Sequence, residues 1–141
     1  MKRSVIGLVM CLLAVGAACK PKPCDPVPPS ESAKRLGIVL DGGRLCKDGG
    51  GVGTIEYPAN QKGAAILDGY KSKFSSWKAD PIDDHTLLLN NGEADGLFVL
   101  AWDSTKERDV PTAVVTYCVD AQGCARMNRI VGKMKEYGAK K

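Results

Sequence analysis

The residues with the clearest chemical capacity are one histidine and the carboxylates beside it. His85 is the only histidine in the chain, and it follows Asp83 and Asp84 in the sequence DPIDDHT. A carboxylate can orient an imidazole as a general base, so a Ser-His-Asp arrangement would have to use His85. No G-x-S-x-G sequence supplies the serine of such a site. We therefore interpret His85 as a polar residue at the start of a strand, and we expect no catalytic residue.

The same acidic segment has side chains that could also bind a metal ion. Asp80, Asp83, Asp84 and His85 carry the oxygen and imidazole ligands that suit calcium and zinc. Their spacing differs from that of the calcium loop D-x-[DN]-x-[DN]-G, and the chain has no C-x-x-C pair. We interpret these acids as solvated turn residues and expect no metal.

A glycine-rich stretch, DGGGVG (48–53), invites comparison with phosphate-binding loops. No Gly-Lys-Ser/Thr follows it, and it lacks the last glycine of G-x-G-x-x-G. It precedes a predicted strand, so no helix amino terminus faces a phosphate. We predict a flexible loop here and no cofactor.

The amino-terminal segment has the layout of an export signal. Lys2 and Arg3 precede an uncharged run of apolar and small residues over 5–18. This run is too short to cross a hydrocarbon core, which takes about 20 residues in a helix. The pattern is typical of a secretory signal peptide, so we predict a signal over 1–18.

The residues at the end of this signal resemble a bacterial lipobox. Gly16, Ala17 and Ala18 lead directly into Cys19, with Gly16 where that family prefers Leu, Val or Ile. The resemblance implies cleavage before Cys19, a diacylglycerol on its thiol and an acylated amino terminus. Lys20, in place of Asp, implies sorting to the outer membrane. The alternative is cleavage after Ala17 or Ala18, which would release a soluble periplasmic or secreted protein.

The remaining cysteines predict disulfide bonds. Cys11 leaves with the signal and Cys19 is used by the lipid. The other four are Cys24, Cys46, Cys118 and Cys124. An even number in an oxidising compartment predicts two disulfides, for which three pairings exist. The short separation of Cys118 from Cys124 favours a local bridge, which leaves Cys24 for Cys46.

A proline-rich stretch over 20–30 separates the anchor from the folded part. Its five prolines favour an extended polyproline conformation, which makes a semi-rigid spacer. We assign 19–30 to the anchor cysteine and this spacer. The following 31–141 are long enough for one domain with one core.

Apolar patterning over the first half of this domain predicts two strands and a helix. RLGIVL (35–40) and GTIEYP (53–58) are interpreted as strands. Ile66, Tyr70, Phe74 and Trp77 then recur at helical spacing and predict an amphipathic helix over 61–79. Asn60 would cap this helix, and Pro81 would prevent its continuation.

The second half predicts three strands and a final helix. HTLLLN (85–90) and LFVLAW (97–102) form the clearest hairpin, and TAVVTYCV (112–119) is rich in β-branched residues. After Asp120, the apolar residues that share one helix face are Cys124, Met127, Val131 and Met134. The chain is therefore predicted to be an α+β domain of order ββαβββα, with an antiparallel sheet of about five strands and two helices.

This order of elements is similar to that of the roadblock and profilin-like folds. A helix followed by a three-stranded meander also looks like the small lipoprotein pilotins of type II secretion. Both likenesses lie in the order of elements and imply a fold alone, since they involve no sequence motif.

The net charge of the chain and its distribution along the sequence indicate which classes of partner it could bind. The predicted mature chain has 18 basic and 16 acidic residues, a balance that implies no nucleic-acid partner. Residues 80–109 hold eight acids and two bases, whereas 121–141 hold six bases and one acid. We interpret the basic helix as a solvated face; the alternative is a surface that attracts a protein partner or anionic lipids.

These observations favour an exported, lipid-anchored protein that acts by binding. The first hypothesis is a pilotin-like accessory factor for another envelope protein, attached to the membrane through its lipid. A periplasmic immunity, exclusion or inhibitor protein is the second. The third is a small hydrolase or metal-dependent enzyme that uses His85.

Overall fold

A computed structural model describes residues 23–106 and 109–139 of the chain. The predicted signal peptide and Cys19 lie outside these residues. Within the described part, no helix has both the length and the apolar character needed to cross a membrane.

The described residues form an α+β fold with one antiparallel sheet, which confirms the predicted class. The helices are α1 (Glu31–Leu36), α2 (Gly63–Lys73) and α3 (Ala121–Ala139). The strands are β1 (Arg44–Gly49), β2 (Val52–Glu56), β3 (Lys78–Asp83), β4 (Thr86–Asn91), β5 (Asp95–Trp102) and β6 (Thr112–Cys118). The sheet thus has six strands rather than five, and the described chain has three helices rather than two.

The sheet order, β1-β2-β6-β5-β4-β3, brings distant parts of the chain together. Strands β3 to β6 form a meander of neighbours, while β2 pairs with β6 across the sequence, from Val52 opposite Thr116 to Glu56 opposite Thr112. The β1–β2 hairpin is thereby joined to the meander in a single sheet, with α2 as the connection between them.

One face of the sheet carries the main core. Side chains of α2, including Ile66 and Tyr70, pack there against Ile55, Val99 and Val115. Alternation along the strands sends every second residue to this face. The helix begins at Gly63, whose N–H donates to Asp103 Oδ1 at 2.6 Å, so the expected cap by Asn60 is wrong.

Helix α2 ends at Lys73, six residues before the predicted end. Phe74 and Trp77 continue the apolar period but lie in the turn that follows, with ring centroids 4.7 Å apart. The chain then pairs as β3 with β4, although Pro81 lies within it. Because β3 is an edge strand, the missing proline N–H need not face another strand.

The predicted strand over 35–40 is also wrong, because its first half belongs to α1. Ser30 caps this helix by accepting from Ala33 N–H at 3.2 Å, and Gly37 ends it with a positive φ of 69°. Serine before a helix and glycine after it are the usual terminal residues. The chain continues without pairing as a strand, and Ile38 is fully buried.

The segment before β1, residues 23–43, is called the N-terminal strap. Buried hydroxyl groups hold its later half: Tyr70 Oη donates to Ile38 O at 2.6 Å and lies 2.8 Å from Tyr57 Oη. Lys73 Nζ donates to Gly37 O at 2.6 Å. These bonds satisfy carbonyl groups that no neighbouring strand reaches.

The first half of the strap lies along the β1 edge, so much of the predicted spacer belongs to the domain. Cys24 forms a disulfide with Cys46 in β1. Val27 N–H donates to Leu45 O at 2.9 Å, and Ser30 N–H donates to Asp48 Oδ2 at 2.7 Å. The strap thereby covers an edge that would otherwise be open to pairing with another chain.

The glycine stretch expected to be a flexible loop is instead the tip of the β1–β2 hairpin. Gly49 pairs with Val52, and Gly50 and Gly51 make the turn with φ of 61° and 79°. Such left-handed conformations favour glycine at both turn positions.

The second face of the sheet is covered by α3. Asp120 Oδ1 accepts from Gly123 N–H at 2.6 Å at the start of this helix, and Cys118 at the end of β6 forms a disulfide with Cys124. The two predicted disulfides are therefore confirmed, with the pairing that the spacing favours. Cys124, Met127 and Val131 are buried as predicted.

Close packing of α3 depends on a glycine in β5. A Cβ atom at Gly96 would lie 2.8 Å from Met127 Cε and 2.9 Å from Cys118 Sγ. We expect Gly96→Ala to lower the free energy of unfolding by about 1–3 kcal/mol in a denaturant titration, because the added methyl overpacks this contact.

The control is Gly132→Ala on α3 itself, where a Cβ would meet no atom within 4 Å. Alanine at this exposed helix position should raise the free energy of unfolding by up to about 1 kcal/mol, because it favours the helix more than glycine does. A Gly96→Ala protein as stable as the parent would contradict this account of helix docking.

Candidate functional site

A row of side chains crosses all six strands on the second face. Each strand contributes one residue paired with the next: Gly49, Val52, Thr116, Phe98, Leu88 and Asp80. Paired residues of neighbouring antiparallel strands point to the same side of a sheet. This row therefore shows directly how much of the face α3 covers.

The helix covers only half of the row. Phe98 and Leu88 are buried beneath α3 together with Met127 and Val131. At the β3 end, Lys135 forms an ion pair with Asp80. At the other end Val52 is 38% exposed, and Thr116 is half-buried. No element among residues 23–106 and 109–139 therefore covers the face above β1, β2 and the adjoining part of β6, which is called the open half.

A groove of about 570 Å³ occupies the boundary between α3 and this open half. The hairpin tip (Gly49, Gly50, Gly51) forms one side, and Thr116 belongs to its floor. Gly123, Arg126, Met127 and Ile130 of α3 form the opposite side. The glycines leave the groove open, because no side chain projects from the tip.

One side of α3 carries exposed apolar residues, of which Ile130 lines the groove. Ile130, Met134 and Tyr137 are 57%, 43% and 76% exposed. Their spacing of four and three residues aligns them along one side of the helix. Met134 was predicted to share the buried face, but it lies in this exposed row because α3 docks through Cys124, Met127 and Val131.

Basic residues border this apolar row. Arg126 lines the groove, and Arg129 and Lys133 follow within two helical turns. None of the three forms an ion pair with any residue that the structure describes. The groove side of α3 therefore presents exposed apolar groups beside unpaired positive charge.

A hydrogen-bond network supports the hairpin wall of the groove. Tyr117 Oη donates to Asp48 Oδ1 at 2.6 Å and lies 3.0 Å from Ser30 Oγ. Burial raises the pKa of Asp48, but the hydrogen bonds from Tyr117 and Ser30 outweigh it and hold that pKa below its ordinary value. The network fixes β1, β6 and the strap relative to one another.

The chemistry of this network is structural. Burial and the Asp48 carboxylate raise the pKa of Tyr117, so the phenol stays protonated and donates to Asp48. A protonated phenol cannot remove a proton from Ser30, whose hydroxyl already caps α1. This arrangement therefore does not activate Ser30 as a nucleophile.

His85 lies away from the groove, exposed in the turn between β3 and β4. Asp83 Oδ1 accepts from the His85 backbone N–H at 2.8 Å and from the Thr86 hydroxyl. These bonds lower the pKa of Asp83, with the Thr86 hydroxyl as the largest cause. Asp83 thus stabilises the turn through the backbone of His85 and makes no described hydrogen bond to the imidazole.

The acidic residues considered as metal ligands do not converge on one point. Asp80 pairs with Lys135, whereas Asp83 and Asp84 line a separate cleft of about 210 Å³. Among the described residues, one group of three possible metal ligands comes within reach: Cys24, Cys46 and Glu56. Both sulfur atoms of that group are joined to each other in the disulfide.

Sequence patterns alone did not identify the groove. Its residues come from the hairpin tip, β6 and α3, which only the β2–β6 pairing brings together. The available signal was the unusual sequence of α3, in which Ile130 and Tyr137 lie off the predicted buried face. In comparisons with known protein families, curated proteins and solved structures, the chain matches none.

The Asp48 network predicts a pH-dependent contribution to stability. The folded pKa of Asp48 is below the ordinary 3.8, so its stabilising effect is present above that pH and is lost as pH falls through the folded pKa. Asp48→Asn should cost about 1 kcal/mol at neutral pH, a value reduced for partial exposure.

Denaturant titrations of the parent and Asp48→Asn proteins over a pH series measure this difference. The difference between their free energies of unfolding should become smaller below pH 3.8, where Asp48 of the parent is increasingly protonated. A constant difference across the series would contradict a role for the ionised carboxylate.

Proposed function

We propose that this protein is an exported, lipid-anchored factor of the bacterial envelope that binds another envelope protein through its second sheet face. The single observation that carries the proposal is the half-covered row beneath α3. At this open half, Val52 and the groove-lining Ile130 leave apolar surface in water, which marks interaction sites in soluble domains. Envelope location comes from the predicted signal and Cys19.

The attachment of the strap affects how such a protein would sit on a membrane. With a lipid on Cys19, the disulfide at Cys24 follows within five residues. An extended chain of that length spans at most about 17 Å. The domain would therefore lie close to the bilayer, rather than at the end of the longer spacer that the prolines suggest.

Intact mass of the protein purified from cell envelopes tests the anchor. We expect the mass of a chain that begins at Cys19, increased by acyl groups, and we expect Cys19→Ala to lose that increase. Alkylation before and after reduction should show two disulfides. An unmodified mature chain that begins before or after Cys19 would contradict lipidation.

The binding face is tested by one added carboxylate on α3. Ile130→Asp places charge on the exposed row and should reduce partner recovery by about tenfold, equivalent to about 1.4 kcal/mol. Recovery is measured by cross-linking in intact cells and purification in detergent.

Asn128→Asp is the matched control, because it adds the same carboxylate about 160° around the helix from Ile130. It should leave recovery unchanged. The same partner recovered equally with both variants would exclude this face, and the absence of a specific partner with the parent would contradict the proposed function.

A further inference from the structure

We infer that the groove binds an acidic amphipathic α-helix of the partner protein. The apolar side of that helix would lie against the open half of the row and α3. Its carboxylates would face Arg126, Arg129 and Lys133. This inference rests on the proposed function and specifies the chemistry of the partner.

The open half of the sheet has the width of one helix. Gly49, Val52 and Thr116 lie on three successive strands, β1, β2 and β6. Neighbouring strands are about 4.8 Å apart, so this surface spans about 10 Å between the outer two strands. A helix with its side chains has a diameter of about 10 Å. Because α3 crosses the strands from Cys118 of β6 to Asp80 of β3, a helix that runs along β1, β2 and β6 past the first turns of α3 would cover the part of the face that α3 leaves open.

The exposed side of α3 has the spacing of a helix-packing surface. Ile130, Met134 and Tyr137 follow the i, i+4, i+7 positions at which ridges of one helix fit the grooves of another. Helix-in-groove recognition uses the same spacing of apolar anchors. Ile130 carries this row into the groove, and Met134 and Tyr137 extend it along α3 toward the β3 edge, where Lys135 pairs with Asp80.

The charge in this region selects acidic partners. Asp48 accepts hydrogen bonds from Tyr117 and Ser30, and Asp120 accepts one from Gly123 N–H at 2.6 Å. These acids are already engaged, whereas the basic residues beside Ile130 form no ion pair within the described chain. Carboxylates on a bound helix would therefore complement the α3 border of the groove.

The shape of the surface favours a polypeptide over a lipid bilayer. The hairpin tip and α3 stand on opposite sides of Thr116, so the site is concave. A helix can enter this concavity, while a flat bilayer would contact Tyr137 and leave the floor uncovered. The same basic residues would also attract an anionic membrane, so the experiment distinguishes binding of a membrane from binding of a helix.

The test uses the protein as cells process it, held in phosphatidylcholine nanodiscs. The probe is a fluorescent synthetic helical peptide with leucines at i, i+3, i+4 and i+7 and glutamates elsewhere. A second peptide replaces every glutamate with lysine, and a third has the composition of the first in scrambled order. Fluorescence anisotropy should detect binding of the glutamate peptide alone, weakening as salt rises.

Two protein variants locate the binding. Gly49→Leu fills the groove without strain, because a Cβ there meets no atom within 4 Å, and should weaken binding by about tenfold. Gly132→Leu adds the same side chain to the other side of α3, again with no atom within 4 Å, and should not affect binding. A third variant, the triple glutamate variant, reverses the charge of the α3 border by combining Arg126→Glu, Arg129→Glu and Lys133→Glu. It should lose binding of the glutamate peptide and gain binding of the lysine peptide.

Several results would overturn the inference. Equal binding of all peptides, or of none, would exclude an acidic helix. Displacement of the glutamate peptide by phosphatidylglycerol vesicles, but not by phosphatidylcholine vesicles, would assign the site to a membrane. Self-association that is lost in Gly49→Leu would assign it to a second copy of the chain.

The envelope partner distinguishes failure of this inference from failure of the proposed function. Suppose that cross-linking recovers a partner with the parent and with the triple glutamate variant, but not with Ile130→Asp. The proposed binding function then stands, and the acidic helix is wrong. If the parent recovers no partner, the proposed function itself fails.

Discussion

The pairing of β2 with β6 is the constraint on which the other tertiary contacts depend. It joins the β1–β2 hairpin to the meander that contains β3 to β6, although α2 separates the two in sequence. The joined sheet provides one continuous face on which α2 packs. The backbone extends the contact beyond the strands, since Tyr57 N–H donates to Pro111 O and Tyr117 N–H donates to Gly51 O at 2.9 and 2.8 Å. Without this pairing there would be neither a common core nor a groove beside α3.

The two faces of the sheet are covered to different extents by the described residues: the first face is covered along its length, and the second only in part. The strap, which includes α1, covers the main core together with α2, and Ile38, Ile55 and Val115 are fully buried there. On the second face a single helix covers Phe98 and Leu88 and leaves Val52 partly exposed. A domain with no partner would gain stability by burying that remaining surface. The proposed function would bury this surface against the partner.

The disulfides attach the strap and α3 to the sheet. Cys24–Cys46 attaches a strap with little regular structure to the edge of the sheet, and Cys118–Cys124 joins the last strand to the first turn of α3. Hydrogen bonds from Tyr117 and Ser30 to Asp48 add a second attachment for the strap. The edge strand β1 is thereby protected, while β3 at the other edge carries Pro81 and charged residues that discourage pairing.

The sequence by itself determined the features that depend on local pattern. Alternating and β-branched residues identified β2, β4, β5 and β6, while helical spacing identified Ile66, Tyr70 and the buried side of α3. Cysteine spacing favoured the observed disulfides for the same local reason. The first helix, α1, was not predicted, because the apolar run RLGIVL (35–40) has the pattern of a strand although Ser30 and Gly37 bound a helix there.

Only the tertiary structure decided the remaining features, because each depends on contacts between distant residues. Lys78–Asp83 has weak strand propensity and becomes β3 by pairing with β4. Met134 is exposed because the docking of α3 on β4, β5 and β6 turns the helix toward Cys124, Met127 and Val131. The groove exists because the β2–β6 pairing places Gly49 and Thr116 beside α3, a relation that no local pattern in the chain encodes.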